Sequence, residues 1–413
     1  MKKTTIKKYK KNDMYLSKLL DGLTYDGSKI KTVTHISSGS YGRAWLLIFD
    51  NDKELVMKTS HNFSGLHETE NIVKLKYNLP HVCHYYGYNV IVGNKYNFIS
   101  NDKRLSFNGN LPKLPHNVIQ YALNKNLLFI ERIPKSYFNI IMEKIYFVDH
   151  LDIFNYQTIN TISFLTFIKA VMEGIIEISD KHIVHGDIHI LRNIGFFKAI
   201  VNEQKVLLPK LVDFGVMRHT GQIYNYDNGR FVGCIQLKYR PECPPELNGQ
   251  LDNAFNYDEK RLRNKVWNKN KTCGNDKSDL YMFFNGIVLM DFLKLNTNTN
   301  LPASHNINMD KHHVINKYYI VGDEMYNALH TEILNLLHEH VKLNNYLFIN
   351  QGSITDFVKK FAELIMSSIN PNHRLRPSAK SVVDQLTKFI KTYFVKSESI
   401  LFLNSKSAYD NQK

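Results

Sequence analysis

Cysteine is scarce in this chain of 413 residues: Cys83, Cys234, Cys243 and Cys273 are its four. No two stand at Cys-x-x-Cys spacing, so neither a disulfide framework nor a zinc site is indicated, and a reducing compartment is the simplest expectation. Long apolar runs are missing too. No stretch approaches the roughly 18 residues that cross a bilayer, and Met1-Lys2-Lys3-Thr4 leads into no signal-peptide core. A cytoplasmic or nuclear protein without a membrane span is therefore expected. The 18 histidines include His312-His313 and His338-Glu339-His340, but no His-Glu-x-x-His spacing that would set two metal ligands on one helix face. No internal repeat is visible.

Acid is in short supply relative to base, with 53 Lys and Arg against 38 Asp and Glu and a formal charge of +15. Lys2, Lys3, Lys7, Lys8, Lys10 and Lys11 make a basic start, and a second basic stretch runs from Lys260 to Lys271. Such surfaces steer acidic partners. No zinc finger or RNP aromatic pair accompanies the charge, so nucleic acid is not expected as the main ligand. The bias toward Asn, Lys, Ile and Tyr fits an AT-rich coding genome, as in some parasites and large DNA viruses, which makes a virus-infected host cell one expected setting. Hydrophobic residues amount to 43%, enough for a sizeable core in a chain this long.

Three short strings follow one another: Ser38-Gly39-Ser40-Tyr41-Gly42 with Lys58 downstream, His185-Gly186-Asp187 reaching Asn193, and Asp213-Phe214-Gly215. Each alone arises by chance; their order and spacing make them one constellation. Phosphoryl transfer from ATP requires a backbone that can approach phosphates, a cation on them, metal-binding oxygens and a carboxylate at the acceptor hydroxyl. Thr34-His35-Ile36-Ser37 and Arg43-Ala44-Trp45-Leu46 read as strands around a tight turn, where Gly39 and Gly42 would let main-chain N–H groups face a triphosphate. By itself that segment is an ordinary Gly-rich hairpin. Glu54-Leu55-Val56-Met57-Lys58 is an apolar strand ending on a lysine, usually a solvated group, whose place after the turn marks it for phosphate contact. Ile162 to Ile178 carries apolar residues at helical spacing, and the loop after it offers Asp187 to accept a proton and Asn193 to ligate Mg²⁺. Lys210-Leu211-Val212-Asp213 is a further apolar strand ending in an acid.

In this order the strings resemble the protein kinase family, over about residues 31 to 390. The resemblance implies an α+β fold of two lobes, with an antiparallel-sheet N-lobe over 31–145 and a mainly helical C-lobe over 146–395. A basic arm at 1–30 would precede them and a tail at 396–413 would follow, with insertions at about 93–135 and 248–275. It implies ATP and Mg²⁺ or Mn²⁺ as cofactors, and transfer of the γ-phosphate to a protein, an acidic one by its charge, at Ser or Thr. Lys58 would hold the α- and β-phosphates and pair with Glu70, with Glu68 the alternative. Asp187 would be the base, and Asn193 and Asp213 the metal ligands. Ser37, Gly39, Gly42 and Ala44 match the Gly-rich loop, Met142 the back-pocket residue, and main-chain groups of Glu143 to Ile145 the adenine contacts.

Several positions depart from the family pattern. Ser37 replaces the first Gly and Ala44 the Val of G-x-G-x-x-G-x-V, and five residues rather than four separate Asp187 from Asn193. Gly186 stands where many kinases carry the Arg that pairs with a phosphorylated activation loop, and His189 where Ser/Thr kinases carry Lys. Further on, Glu246 (or Glu242), Asp279 and Arg376 (over Arg374) match the structural acid, the loop anchor and the arginine partner of the acid. These late motifs disfavour a small-molecule phosphotransferase, which shares the His-Gly-Asp-type loop. A pseudokinase or scaffold that binds partners without turnover is the other alternative. Oligomeric state is not set by the sequence.

Overall fold

Along Gly42–Phe49 burial alternates, with Trp45, Leu47 and Phe49 inside and the residues between them half-exposed or exposed. That two-residue period is the mark of a strand with one face on a core. The computed structural model describes residues 19–39, 42–60, 68, 75, 79–92, 95–109, 112–114, 136–147, 159–188, 191–201, 204–214, 217–219, 275–293, 295, 323–370 and 372–395. It is an α+β protein with an antiparallel sheet and helices, dividing into two units. The first comprises 1–79, 83–145 and Asp213–Gly215; the second 80–82, 146–212 and 216–413.

The sheet of the first unit has eight strands: β1 Leu23–Tyr25, β2 Ser28–Gly39, β3 Gly42–Phe49, β4 Glu54–Ser60, β5 Tyr85–Val92, β6 Lys95–Ser100, β7 Leu105–Phe107 and β8 Ser136–Glu143. Their order is β6-β5-β8-β4-β3-β2-β1-β7. Asp26 and Gly27, both with positive φ, make the two-residue turn between β1 and β2, the Asp-Gly chemistry that a twisted hairpin selects. The two edge strands approach each other: the Phe107 ring lies 4.6 Å from Tyr96 and 5.7 Å from Phe98. The sheet thus curls toward a barrel around Leu23, Trp45, Leu47, Phe49, Met57 and Ile141.

Two sequence boundaries need correction. Residues 19–30 are not part of an arm, because Leu19, Leu20, Leu23 and Tyr25 are core residues. Within the expected insertion at 93–135, β6 and β7 are strands of the sheet. Lysine and asparagine in Lys95-Tyr96-Asn97-Phe98 obscured a two-residue alternation whose apolar members pack inward on Phe107. The arm before residue 19, most of the 248–275 stretch and the tail from 396 lie outside the described residues.

In the second unit, helix α1, Thr161–Ser179, starts at Asn160, whose side chain accepts from the Ser163 N–H at 2.8 Å. Strands β9 Ile183–Val184 and β12 Arg218–His219 pair, as do β10 Ile194–Val201 and β11 Gln204–Leu211. Helix α2, Asp276–Met282, opens on a capping box at Asn275 and runs into a π-helical stretch, Phe283–Phe292. Helices α3 Asp323–Lys342, α4 Gly352–Ser368 and α5 Ala379–Tyr393 complete it. Phe164 of α1 stacks on Phe292 at 3.4 Å and meets Phe361 of α4 at 6.4 Å.

Arg376 is buried just before α5, its guanidinium 4.4 Å over the Tyr281 ring and donating to the carbonyls of Asn370 and Lys277. Arg376→Ala would remove both hydrogen bonds and the ring contact from a buried site. Denaturant unfolding should show a loss of about 3 kcal/mol, and Arg376→Lys, which lacks the planar fork, should recover only part of it.

Candidate active site

Register places three of the sequence candidates in one row. Ser37 pairs with Ala44, Ala44 with Lys58, and Lys58 with Ile140, so these four side chains share one face of the sheet. The next row in the same sense is Leu46, Val56 and Met142. Gly39 pairs with Gly42, while Ser40 and Tyr41 lie outside the described residues. A Cβ on Gly42 would collide with the Thr59 carbonyl oxygen, so close approach to β4 by itself demands glycine there.

Lys58 Nζ lies 2.8 Å from one Glu68 oxygen, 2.9 Å from the other and 3.1 Å from Asp213 Oδ1. The lysine side chain is 22% exposed, Glu68 6% and Asp213 46%. Glu68, not the favoured Glu70, is therefore the partner of Lys58; Glu70 lies outside the described residues. Residues two apart on a helix do not share a face, and counting back from Pro80 does not say which acid turns inward. Burial alone would lower the Lys58 pKa, but the charges of Glu68 and Asp213 and their hydrogen bonds outweigh it and raise it. Burial pushes the Glu68 carboxyl up to about 7, with Lys58 opposing and Asp213 adding to the rise. The two short carboxylate contacts support the lysine's direction, an ammonium that keeps its proton.

Asp213 has φ +61°, the left-handed region that few non-glycine residues adopt. Phe214 beside it is fully buried, edge-on to Tyr85 at 6.1 Å. Gly215 lies outside the described residues.

Met142 ends the apolar row half-buried. The Glu143 N–H donates to the His84 carbonyl at 2.9 Å and its carboxylate accepts from the His84 N–H at 2.6 Å. Lys144 pairs with Glu54 at 2.5 Å, and Ile145 is half-buried.

In the second unit a fully buried carboxylate organises a loop. Asp279 of α2 accepts the N–H groups of His185 and Gly186, both at 2.8 Å, and His185 Nε2 lies 2.8 Å from the Val212 carbonyl. Gly186 has φ +78°, which explains glycine in place of a larger residue. Asn193 Nδ2 donates to the Asp187 carbonyl at 2.6 Å and to Asp187 Oδ2 at 2.8 Å. Asn193, at the end of the 3-10 turn Leu191–Asn193, thus meets Asp187 although five residues intervene. His189 lies outside the described residues, as do Glu242 and Glu246.

Sequence reading missed His81. Its Nδ1 lies 2.8 Å from Glu177 Oε1 and its N–H donates to the same carboxylate at 3.0 Å, tying the segment after Pro80 to α1. Glu173 and Glu177, four apart on α1, were the available signal.

Among the described residues no three His, Cys, Asp or Glu side chains gather as a metal cage. Asn193 in the second unit and Asp213 in the first each offer one oxygen, amide and carboxylate respectively, of the kind that Mg²⁺ takes. No protein-family model matches the chain, and no curated protein matches it.

Burial pushes the Asp279 carboxyl up to about 7, its two N–H donors opposing and the charges of Asp276 and Asp187 adding. Since this lies above the ordinary 3.8, the folded protein binds the proton more tightly than the unfolded chain. Asp279 therefore favours folding most at low pH and loses that contribution as pH rises from about 4 to 7. Stability of wild type relative to Asp279→Asn should fall across that window by up to about 1.4 kcal/mol per pH unit, measured by urea unfolding at each pH.

Proposed function

We propose that the protein is an ATP-dependent protein kinase that transfers the γ-phosphate to Ser or Thr hydroxyls. The observation that carries this reading is Lys58, held at once by Glu68 and by Asp213, 155 residues away in the chain. One cation thereby joins the strand after the glycine turn to the Asp-Phe-Gly string. The pairing of Asp187 with Asn193 supports the same reading, and a sheet unit followed by a helical unit supports a two-lobed, kinase-like fold.

On this reading Lys58 contacts the α- and β-phosphates and Glu68 keeps its ammonium in place. Ala44, Leu46, Val56 and Met142, on the same sheet face as Lys58, supply the apolar surface for the purine. Mg²⁺ or Mn²⁺ bound by Asn193 and Asp213 would offset the phosphate charge. Asp187 accepts the proton of the acceptor hydroxyl, and Asn193 holds its carboxylate in one orientation. Asp279 fixes the backbone on which Asp187 stands. The excess of basic residues favours a protein substrate with an acidic surface.

The test is transfer of radiolabel from ATP with Mg²⁺ or Mn²⁺ to casein and to a basic protein, followed by phosphoamino-acid analysis. Asp187→Asn should lower transfer by roughly 10²–10⁴-fold with the fold intact by circular dichroism; wild-type turnover in that variant overturns the assignment. Since Gly186 offers no guanidinium to a phosphorylated activation loop, phosphatase treatment should leave the rate within about twofold. A large loss traced to that loop would contradict this.

A further inference from the structure

Four of the seven large apolar side chains exposed among the described residues lie along one backbone junction of the second unit. Leu343 is 57% exposed, Tyr346 70%, Ile349 54% and Val395 53%. The Ile349 N–H donates to the Tyr393 carbonyl at 3.0 Å and the Val395 N–H to the Leu347 carbonyl at 2.9 Å. Between these bonds Phe348 and Phe394 face each other in an antiparallel bridge, rings 4.4 Å apart and buried. Ile349 and Val395, each one residue past this bridge, are both exposed, and Tyr346 and Leu343 stand three and six residues before Ile349 in the chain. Scattered exposed apolar residues need no explanation, but four gathered at one backbone junction are where a covering segment would be sought.

The chain supplies an occupant. After Val395, Lys396-Ser397-Glu398-Ser399 leads into Ile400-Leu401-Phe402-Leu403, the apolar run of an otherwise polar segment ending Asn404-Ser405-Lys406-Ser407-Ala408-Tyr409-Asp410-Asn411-Gln412-Lys413. Five residue steps reach at most roughly 17 Å, so Ile400 is confined to the neighbourhood of the patch. A tether this short holds the run at an effective concentration on the order of millimolar, which favours it over any partner arriving from solution. We propose that Leu343, Tyr346, Ile349 and Val395 form a docking surface for this chain's own segment Ile400–Leu403. This does not depend on the catalytic reading.

Hydrogen exchange of the full chain, followed by mass spectrometry, tests it. In the full-length variant carrying Leu401→Asp and Phe402→Asp, amides of residues 343–349 should exchange at least about tenfold faster, with α1 unchanged as the control for folding. Tyr346→Asp in the full chain should give the same acceleration, and combining it with the tail changes should add nothing, because each removes the same contact. Unchanged exchange at 343–349 in the tail variant overturns the proposal. So does protection that grows with protein concentration alongside a dimer, seen by light scattering, that Tyr346→Asp dissolves; the occupant would then be a second copy.

Discussion

A carboxylate with no access to water must find donors inside the protein, and Asp279 finds them in the backbone of His185 and Gly186. Few side chains can accept two consecutive N–H groups, and a carboxylate does so with one oxygen each. That contact fixes the loop from the α2 side, and the ring of His185 fixes it again by reaching the Val212 carbonyl. Gly186 turns through a left-handed conformation between these anchors, which an L side chain would adopt at a cost of about 1–2 kcal/mol. Asp187 follows on a backbone already constrained at two points, and the Asn193 amide constrains its carboxylate at a third. Orientation of this acid is thus built into the fold rather than left to a ligand.

The Lys58 cluster is ordered by different physics. Taking an ammonium and a carboxylate out of water costs several kcal/mol per ion, and the cost is met by contacts near 3 Å with two acids rather than one. The side chains differ in exposure, Glu68 being buried and Asp213 facing solvent. Asp213 is accordingly the partner that can exchange its contact for a ligand with less desolvation at stake, while Glu68 stays. Asp213 also carries a left-handed backbone, a conformation worth of order 1–3 kcal/mol in strain that persists only when the surroundings over-determine it. The fully buried Phe214 ring against Tyr85 is the visible part of that constraint.

Much of this was legible in the sequence because the groups concerned are fixed by short-range rules. Lys58 follows three consecutive buried apolar residues, Leu55, Val56 and Met57, in β4, and Asp279 lies in Ser278-Asp279-Leu280-Tyr281 at the start of a capped helix. What was not legible depends on rotation and on distance. Glu68 and Glu70 stand two residues apart, and no spacing rule chooses between them when their anchor is a proline ten or more residues on. Leu19, Leu20 and Leu23 follow a lysine-rich stretch whose charge dominated the composition of the segment. The tie between Glu143 and His84 joins residues 59 apart in the chain, which local pattern cannot foresee. Despite the extra residue between Asp187 and Asn193, the Asn193 amide reaches both the carbonyl and the carboxylate of Asp187.

Glycine illustrates how weakly a motif discriminates when its residues have a second physical use. Gly42 is required by the Thr59 carbonyl and Gly186 by its own φ, and both requirements would stand in a protein that never met a phosphate. The charged groups are different. A largely buried lysine gripped by two acids is a poor stabiliser beside well-packed apolar residues of the same volume, since desolvation consumes most of the attraction. Its presence on a largely apolar sheet face, in one row with Ser37, Ala44 and Ile140, is therefore not accounted for by stability. Asp213 adds a backbone penalty to the same cluster. Groups whose cost to the fold exceeds their return to it are where chemistry is to be sought, and by that measure Lys58 and Asp213 carry more of the functional argument than the glycines that first draw the eye.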